Sequence, residues 1–576
     1  MLGLFDGSTP STLPELLTRA AARGLGGWHF HSGRDVVSLA VEELHARAVQ
    51  LSSEMMQAGV GRGARVGIVG LNCPEWVVWA WGTWISGAAV LPLPAPVLVG
   101  DSFAPQVTSL VGAAGCSVVV GARRYLDLLG GEPYALWDWE AAVPSVRSPS
   151  PVARPAPLPS DLAVVLCTSG STAAPKAARM SHARAVEWAV HNVARSDDGA
   201  VPSKVTWFPY YHIAGLDTLF ELVSPVDEHV VPIKRFLSDP CSWLRLVCET
   251  RAVYAVSPSS VWSRVLDGLA RDADGIDLSG LQRLAFNAEM ADPDVLSRLG
   301  DICRPLGLRP GAIAVHYASS EAGMITKTPS GADPRVEAVD LAGLVGSGRA
   351  VPAAPGAPSK RVVSCGRPYA GAEIRIGHPD HPLPEREEGE VWVRGPGVTE
   401  GYLNGTGDGR LVDGWLRAGD LAYLADGELW VTGRADEVVV LHGEKYHPED
   451  IEWAVSRATG LGPGTCAAFS RRDGQPSRMA QNPAGAVSEV DSCGSAESAG
   501  PVLRHPAGGF VVVLESAGTA GGLADRASAA VVDAIGIAPA EVLVVASGTI
   551  PTTPNGKLQR SRLRELYARG ALEPLG

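Results

Sequence analysis

The sequence predicts an α/β protein in which a large N-terminal domain of layered β/α subdomains ends in a small β-rich subdomain and is followed by a small α+β C-terminal domain. Three observations predict it. Short apolar runs alternate with helix-like patterns up to about His316, the signature of parallel β/α layering. From Arg361 the texture changes to short alternating strands separated by Gly, Asp and Pro turns. Beyond Asp436 a compact tail mixes both element types. The expected boundaries are 1–435 for the N-terminal domain, with the β-rich part at about 361–435, and 436–576 for the C-terminal one.

Taken in order, Val41, Leu44, Ala48, Leu51 and Met55 recur at three- and four-residue steps before Gly59, which predicts an amphipathic helix with a glycine stop. Arg65–Gly70 reads as a strand. Trp76–Leu93 is uncharged but broken by Gly82, Gly87 and Pro92, so a buried helix followed by a buried strand is expected rather than a membrane span. Ala88–Leu93, Ser117–Val120 and Leu162–Leu166 are further strands, and the Pro- and Ser-rich Ala141–Pro159 is a loop. After residue 200 the alternation resumes with Lys204–Phe208, a helix opened by Asp239-Pro240, Val253–Val256, a helix opened by Ser257-Pro258, Leu281–Phe286 and Ala312–His316. Ligands of open α/β sheets sit beyond the carboxyl ends of strands, so the polar clusters there should share one crevice. Arg361–Ser364, Glu373–Ile376, Glu390–Arg394 and Leu429–Thr432 are the β-rich strands. The tail offers strands at Cys466–Phe469, Phe510–Leu514 and Val542–Val545 and helices at Pro448–Arg457 and Leu523–Ile535, with Asp473–Gly509 read as a mobile surface insertion.

Composition narrows the function. The chain has 576 residues, more than one core usually serves, and a net charge of −13, which argues against a nucleic-acid partner. Its nine cysteines form no C-x-x-C pair, so neither a zinc site nor a disulfide framework is indicated, and a reducing cytoplasmic setting is expected. The start, Met-Leu-Gly-Leu-Phe-Asp, lacks the basic region of a secretory leader.

The chemistry centres on Leu166-Cys-Thr-Ser-Gly-Ser-Thr-Ala-Ala-Pro-Lys176. A buried strand that empties into hydroxyl and glycine residues and then one lysine supplies free backbone N–H groups, hydroxyl donors and a movable cation, which is what a phosphate cradle needs. The spacing is not that of the nucleotide-binding P-loop, because Lys176 stands six residues after Gly170 with Pro175 before it.

This stretch resembles the signature of the ANL adenylate-forming superfamily, and further motifs follow in that superfamily's order. Phe208-Pro-Tyr-Tyr-His-Ile-Ala-Gly215 resembles the segment whose histidine lies beside the acyl carboxylate and phosphate. Asn287-Ala288-Glu289 resembles the adenine-contacting Gly-Ala-Glu, with Asn in place of Gly. Tyr317-Ala318-Ser319-Ser320-Glu321, preceded by His316, looks like Tyr-Gly-x-Thr/Ala-Glu: an aromatic face for the purine, a hydroxyl for the α-phosphate, a carboxylate for magnesium. Trp415–Leu421 and Gly433-Arg-Ala-Asp436 resemble the ribose block and the hinge, and Pro551–Lys557 the tail motif whose lysine enters the site. The resemblance thus implies Lys557, His212, Glu321 and Lys176 as catalytic residues and Glu321 as the Mg2+ ligand. It implies Thr168, Ser169, Gly170, Ser171, Thr172, Asn287, Ala288, Glu289, His316, Tyr317, Ala318, Ser319, Ser320, Asp420 and Arg434 as the ATP-binding set, and a mobile C-terminal domain that swivels at Asp436.

Within the superfamily, Val363-Ser-Cys-Gly-Arg-Pro368 and Leu441–Glu452 are similar to motifs of the fatty acyl-AMP ligases, with Lys445 replacing an Asn. The implied activity is ATP-dependent adenylation of a carboxylic acid, the acyl group then passing to a carrier protein, a separate transferase or CoA. A complete acyl-CoA synthetase and a non-catalytic nucleotide-binding module are the alternatives. The stretch Arg335–Lys360 resembles the branch's insertion that lies against the C-terminal domain and hinders thioester formation, and His442 stands where CoA ligases place a glycine. Arg335–Lys360 opens with Val336, Val339, Leu341 and Leu344 and ends in Pro- and Ala-rich sequence expected to run over the surface.

Overall fold

A computed structural model describes residues 9–575, apart from 25, 34, 98, 100–102, 132, 144–155, 169–174, 195–202, 224–225, 406, 442–443, 463, 472–508, 519 and 553–557. Its first sheet has six strands in the order Ala135–Asp138, Val118–Gly121, Arg65–Val69, Ala89–Leu93, Leu162–Thr168, Lys176–Ser181. All run parallel except the last, which returns antiparallel on its neighbour. Ala89–Leu93 and Val118–Gly121 are buried at every residue, which is why they read as continuous apolar runs instead of alternating ones. The apolar helix Pro74–Ser86 packs inside and stops at Gly87, whose φ of 83° suits glycine. Among the described residues, no helix is long and apolar enough to cross a membrane.

The second sheet holds Tyr254–Ser257, Arg283–Phe286 and Ile313–Ser319 in parallel, extended antiparallel by Gly323–Lys327 and Arg367–Pro368. A third runs Asp35–Ala40, Gly27–Ser32, Asp227–Val230, Ser203–Thr206. Its opening hairpin was not expected, because His29 and His31 interrupt the apolar pattern of Trp28 and Phe30. The β-rich part is built on Trp415–Ala425, an eleven-residue strand hidden in the sequence by Gly419 and Asp420. It pairs with Gly389–Arg394 and Glu428–Arg434. The strand expected at Arg361–Ser364 is Ser359–Val363, and it belongs to a separate two-stranded ribbon with Val336–Asp340.

The C-terminal part is a three-stranded sheet, Cys466–Arg471, Gly509–Ser516 and Glu541–Ala546, with helices Pro448–Thr459, Leu523–Ile535 and Arg560–Ala568. Apolar clusters lie on both faces of that sheet. Of the insertion expected at Asp473–Gly509, residues 473–508 lie outside the described residues, and Gly509 already belongs to a strand.

Arg335–Lys360 is more ordered than its composition suggests. After Val336–Asp340 the Asp340 carboxylate accepts from the Gly343 N–H at 2.6 Å and caps the helix Leu341–Ser347, which ends at Gly348 with φ 71°. Val345 is buried in the apolar cluster of Val439, Leu441, Tyr446 and Ile451, and Leu341 packs on the same cluster. At the far end the Lys360 ammonium, 2% exposed, donates to the Thr432 carbonyl and to Asp450 Oδ2, each at 2.7 Å. The insertion therefore grips the C-terminal part twice, by apolar burial at Leu341 and Val345 and by the partly buried Lys360–Asp450 ion pair.

Candidate active site

The cradle strand Leu162–Thr168 leads into residues 169–174 and comes back at Lys176, which pairs in register with Thr168. Ser169, Gly170, Ser171 and Thr172 lie outside the described residues, as does the Thr168 side chain. Burial, with Arg410 and Arg434 nearby, pulls the Lys176 ammonium below its ordinary range, while Glu321 and Asp436 work the other way. Lys176 therefore stands among charges from three distant segments of the chain.

Glu321 is the centre of that group, 8% exposed. Its Oε1 accepts from the Tyr402 hydroxyl at 2.8 Å, and Arg410 Nη1 donates to Oε1 and Oε2 at 2.8 and 3.0 Å. Arg410 is itself fixed by donating to the carbonyls of Arg417 and Ala418 at 3.0 and 2.7 Å. Sequence reasoning missed both Tyr402 and Arg410. The signal available was only that Tyr402 and Arg410 precede the Trp415 block closely; the contacts to Glu321 span 81 and 89 residues.

Asp420 and Arg434 face each other across the antiparallel pair Trp415–Ala425 and Glu428–Arg434, and their side chains form an ion pair at 3.2 Å. The Tyr317 hydroxyl donates to the other Asp420 oxygen at 2.5 Å. Burial and the neighbouring Asp420 charge push the Tyr317 phenol far up, so it stays a donor. Burial works against the Arg434 charge, but Asp420, Asp436 and Glu437 outweigh it and raise its pKa. The structure thus brings Lys176, Glu321, Tyr317, Asp420 and Arg434 into one neighbourhood with Asp436.

Asn287, Ala288 and Glu289, expected to meet adenine, directly follow the strand Arg283–Phe286. Asn287 Oδ1 accepts from the Ala288 N–H at 2.7 Å, and Ala288 has φ 69°, a conformation that costs a non-glycine residue about 1–2 kcal/mol. The Glu289 carboxylate accepts from the Ser260 N–H and hydroxyl at 3.1 and 3.0 Å, so it fastens the helix Ser259–Leu269. Beyond His316, whose Nε2 lies 3.1 Å from the Tyr254 hydroxyl, the ladder slips between Tyr317 and Ala318.

His212 begins the turn Ile213–Leu216, its Nδ1 accepting from the Ala214 N–H at 3.2 Å, which leaves Nε2 carrying the proton of the neutral ring. Phe208 stacks on it with centroids 5.9 Å apart. The segment is pinned by Asn72, which donates to the Phe208 carbonyl at 2.8 Å and accepts from the Tyr210 N–H at 2.9 Å. Sequence reasoning missed Asn72 as well. Lys557 and His442 lie outside the described residues. The base of the Lys557 loop is closed by the Gln559 N–H donating to the Pro551 carbonyl at 2.9 Å.

With this geometry in hand, comparison with known proteins is informative. Residues 18–403 match the family model described as AMP-binding enzyme. The chain is 26% identical over 566 residues to a 4-hydroxyphenylalkanoate adenylyltransferase of Mycobacterium marinum, covering 91% of this chain and 85% of that one. It is 27% identical over 572 residues to the long-chain-fatty-acid–AMP ligase FadD26 of the same organism, covering 92% and 91%. Among solved structures, a fatty acyl-adenylate ligase from a study of the Escherichia coli and Legionella pneumophila enzymes superposes with a TM-score of 0.83 at 22% identity, over 97% of this chain and 98% of that one. The family match spans well over half of the chain, which therefore belongs to the AMP-binding enzyme family and is an adenylate-forming ligase.

Proposed function

We propose that the chain adenylates a carboxylic acid. The substrate carboxylate attacks the α-phosphorus of ATP, the α–β phosphoanhydride bond breaks, and acyl-AMP and pyrophosphate result. No protein nucleophile is needed, so positioning and charge stabilisation supply the rate. The observation that carries this reading is the convergence of Lys176, Glu321 and Arg410 at the cradle with the Asp420–Arg434 pair alongside. In this reading Asp420 accepts from the ribose hydroxyls with Arg434 bracing it, Tyr317 covers the purine, Asn287 and the strained Ala288 turn meet the adenine edge, and His212 Nε2–H donates to the acyl or phosphate oxygen. Lys557 supplies the mobile cation from the C-terminal domain, which is taken to begin at Asp436 and to swivel there. A cytoplasmic location goes with these substrates.

Magnesium fits the site in a limited way. Among the described residues no group of three metal-ligating side chains exists, as expected for Mg2+, which is held by one or two carboxylates and by substrate phosphates. Glu321 is the carboxylate in reach, and Tyr402 and Arg410 leave one lone-pair direction on Oε2. When bound there, the ion would neutralise phosphate charge. Acid-dependent exchange of labelled pyrophosphate into ATP tests the whole reading: a panel of carboxylic acids should include at least one that drives it, and a purified, ATP-binding protein that exchanges with none would overturn it.

The docked insertion supports release of acyl-AMP to a carrier protein or separate transferase over direct use of CoA, because Val345 and Lys360 tie down the domain that would have to turn. With ATP, the preferred acid and CoA, thioester formation is expected to be far slower than exchange. Val345→Asp, which sets a carboxylate in that apolar cluster, is expected to narrow the gap. Thioester formation as fast as exchange in the unmodified enzyme would instead establish the acyl-CoA synthetase reading.

A further inference from the structure

At the opposite end of the first sheet from the cradle lies a cavity that the adenylation chemistry does not use. Its volume is about 420 Å³. It sits where three parallel strands start: Arg65 begins Arg65–Val69, Ala89 begins Ala89–Leu93 and Leu162 begins Leu162–Thr168, and all three residues line it. The cradle follows the other end of Leu162–Thr168, a seven-residue strand, which at about 3.3 Å per residue puts it roughly 20 Å away.

Arg179 lines the cavity too, from the strand Lys176–Ser181. It is the register partner of Val165, and it shares a face of the sheet with Val165 and Ala177, which belong to the apolar cluster that Leu162 and Leu403 pack against. Ala178 and Met180 leave the same strand on the other face, enter the large core cluster and lie beside Glu321. The sheet itself therefore separates this cavity from the adenylation site.

Three guanidinium groups border the cavity against one carboxylate. That carboxylate, Asp161, is engaged by Arg62, which donates to its two oxygens at 2.7 and 2.8 Å. Arg65 Nη1 donates to the neutral Ala114 carbonyl at 2.6 Å, and Arg179 is exposed and, among the described residues, has no side-chain partner. Glu400, close by, is taken up by the Ser181 N–H and hydroxyl at 2.7 and 2.9 Å. Arg65 and Arg179 thus face the cavity without an ion pair among the described residues, in a chain whose net charge is −13.

A monoanion would match one of these guanidinium groups and leave the other. A phosphate group, with about −1.5 to −2 charges at neutral pH, matches both and offers oxygens to two planar forks. The volume falls within the roughly 300–1,000 Å³ of small-molecule sites, and among the described residues no aromatic side chain lines the cavity, so a nucleobase would find nothing to stack on. We propose that this cavity is a second anion site, separate from the ATP cradle, which takes a phosphate dianion without an aromatic base, free or carried on a small sugar, between Arg65 and Arg179.

Calorimetric titration with inorganic phosphate and with ribose 5-phosphate tests this on the full-length protein and its Arg179→Ala, Arg179→Gln and Lys176→Ala variants. The expected result is saturable binding that weakens at least about tenfold in both Arg179 variants, the loss of a charged hydrogen bond, and stays within about twofold in Lys176→Ala. Both Arg179 variants should keep the melting temperature, since that side chain has no partner to lose. Ribose 5-phosphate binding at least about tenfold tighter than phosphate assigns the site to an organic phosphate, and equal binding assigns it to the free anion; either supports the site. Absence of saturable binding, binding unchanged in the Arg179 variants, or its loss in Lys176→Ala, which would put the anion in the cradle, overturns the proposal.

Discussion

Lys557→Ala is expected to slow acid-dependent exchange by about two to three orders of magnitude, the usual loss when one preorganised positive donor is removed from a transition state that develops negative charge. The affinity for ATP should change much less if the lysine acts on the transition state as proposed. The surroundings of the loop favour this role. Thr552 bridges to Leu558, and Arg560 is buried among Glu437, Glu449 and Glu452. The residues on either side of 553–557 are therefore held in place. Lys557→Arg should recover little, since a planar fork does not reproduce a point charge on a flexible stem. Exchange within a few-fold of the unmodified enzyme in Lys557→Ala would remove the lysine from the mechanism.

Asp420→Ala is the second large effect. The substitution takes the acceptor from the Tyr317 hydroxyl and the counter-charge from Arg434 in a place where Asp420 is 14% exposed. A charged acceptor for buried hydroxyls contributes about 1.5–3 kcal/mol, so the ATP requirement should rise by about ten- to a hundredfold. Asp420→Asn keeps an acceptor and should fall between the two. Initial exchange rates against ATP concentration measure this directly, and an unchanged KM for ATP in the alanine variant would dissociate Asp420 from the nucleotide.

Most of the first two sheets was legible because parallel strands buried on both faces are written as unbroken apolar runs. Leu162–Thr168 and Arg283–Phe286 are of this kind. Trp415–Ala425 was not, because Gly419 and Asp420 interrupt its apolar alternation although Asp420 pairs with Arg434 in the ladder. Arg335–Lys360 was expected to dock, with only its Pro- and Ala-rich end running over the surface, but its helix was not read, although Asp340 and Gly348 mark the start and stop. The motif residues at the strand ends could be named in order from the sequence. Tyr402, Arg410 and Asn72 could not, since nothing local to them records a partner 81, 89 or 136 residues away. The left-handed turn at Ala288 was also invisible, because alanine does not advertise that conformation.

The grip of Arg335–Lys360 also sets an equilibrium. Turning the C-terminal part away would expose Val345, worth about 1.5–3 kcal/mol, and part Lys360 from the partly exposed Asp450, although Lys360 would keep the Thr432 carbonyl. Even about 3 kcal/mol leaves fewer than roughly one molecule in a hundred turned at any moment. An acceptor that could react only with the turned form would see its apparent affinity weakened by that same factor. A carrier protein able to bind the two parts as they stand would suffer no such loss, so the insertion would select among acceptors through the rarity of a conformer, without touching any of them.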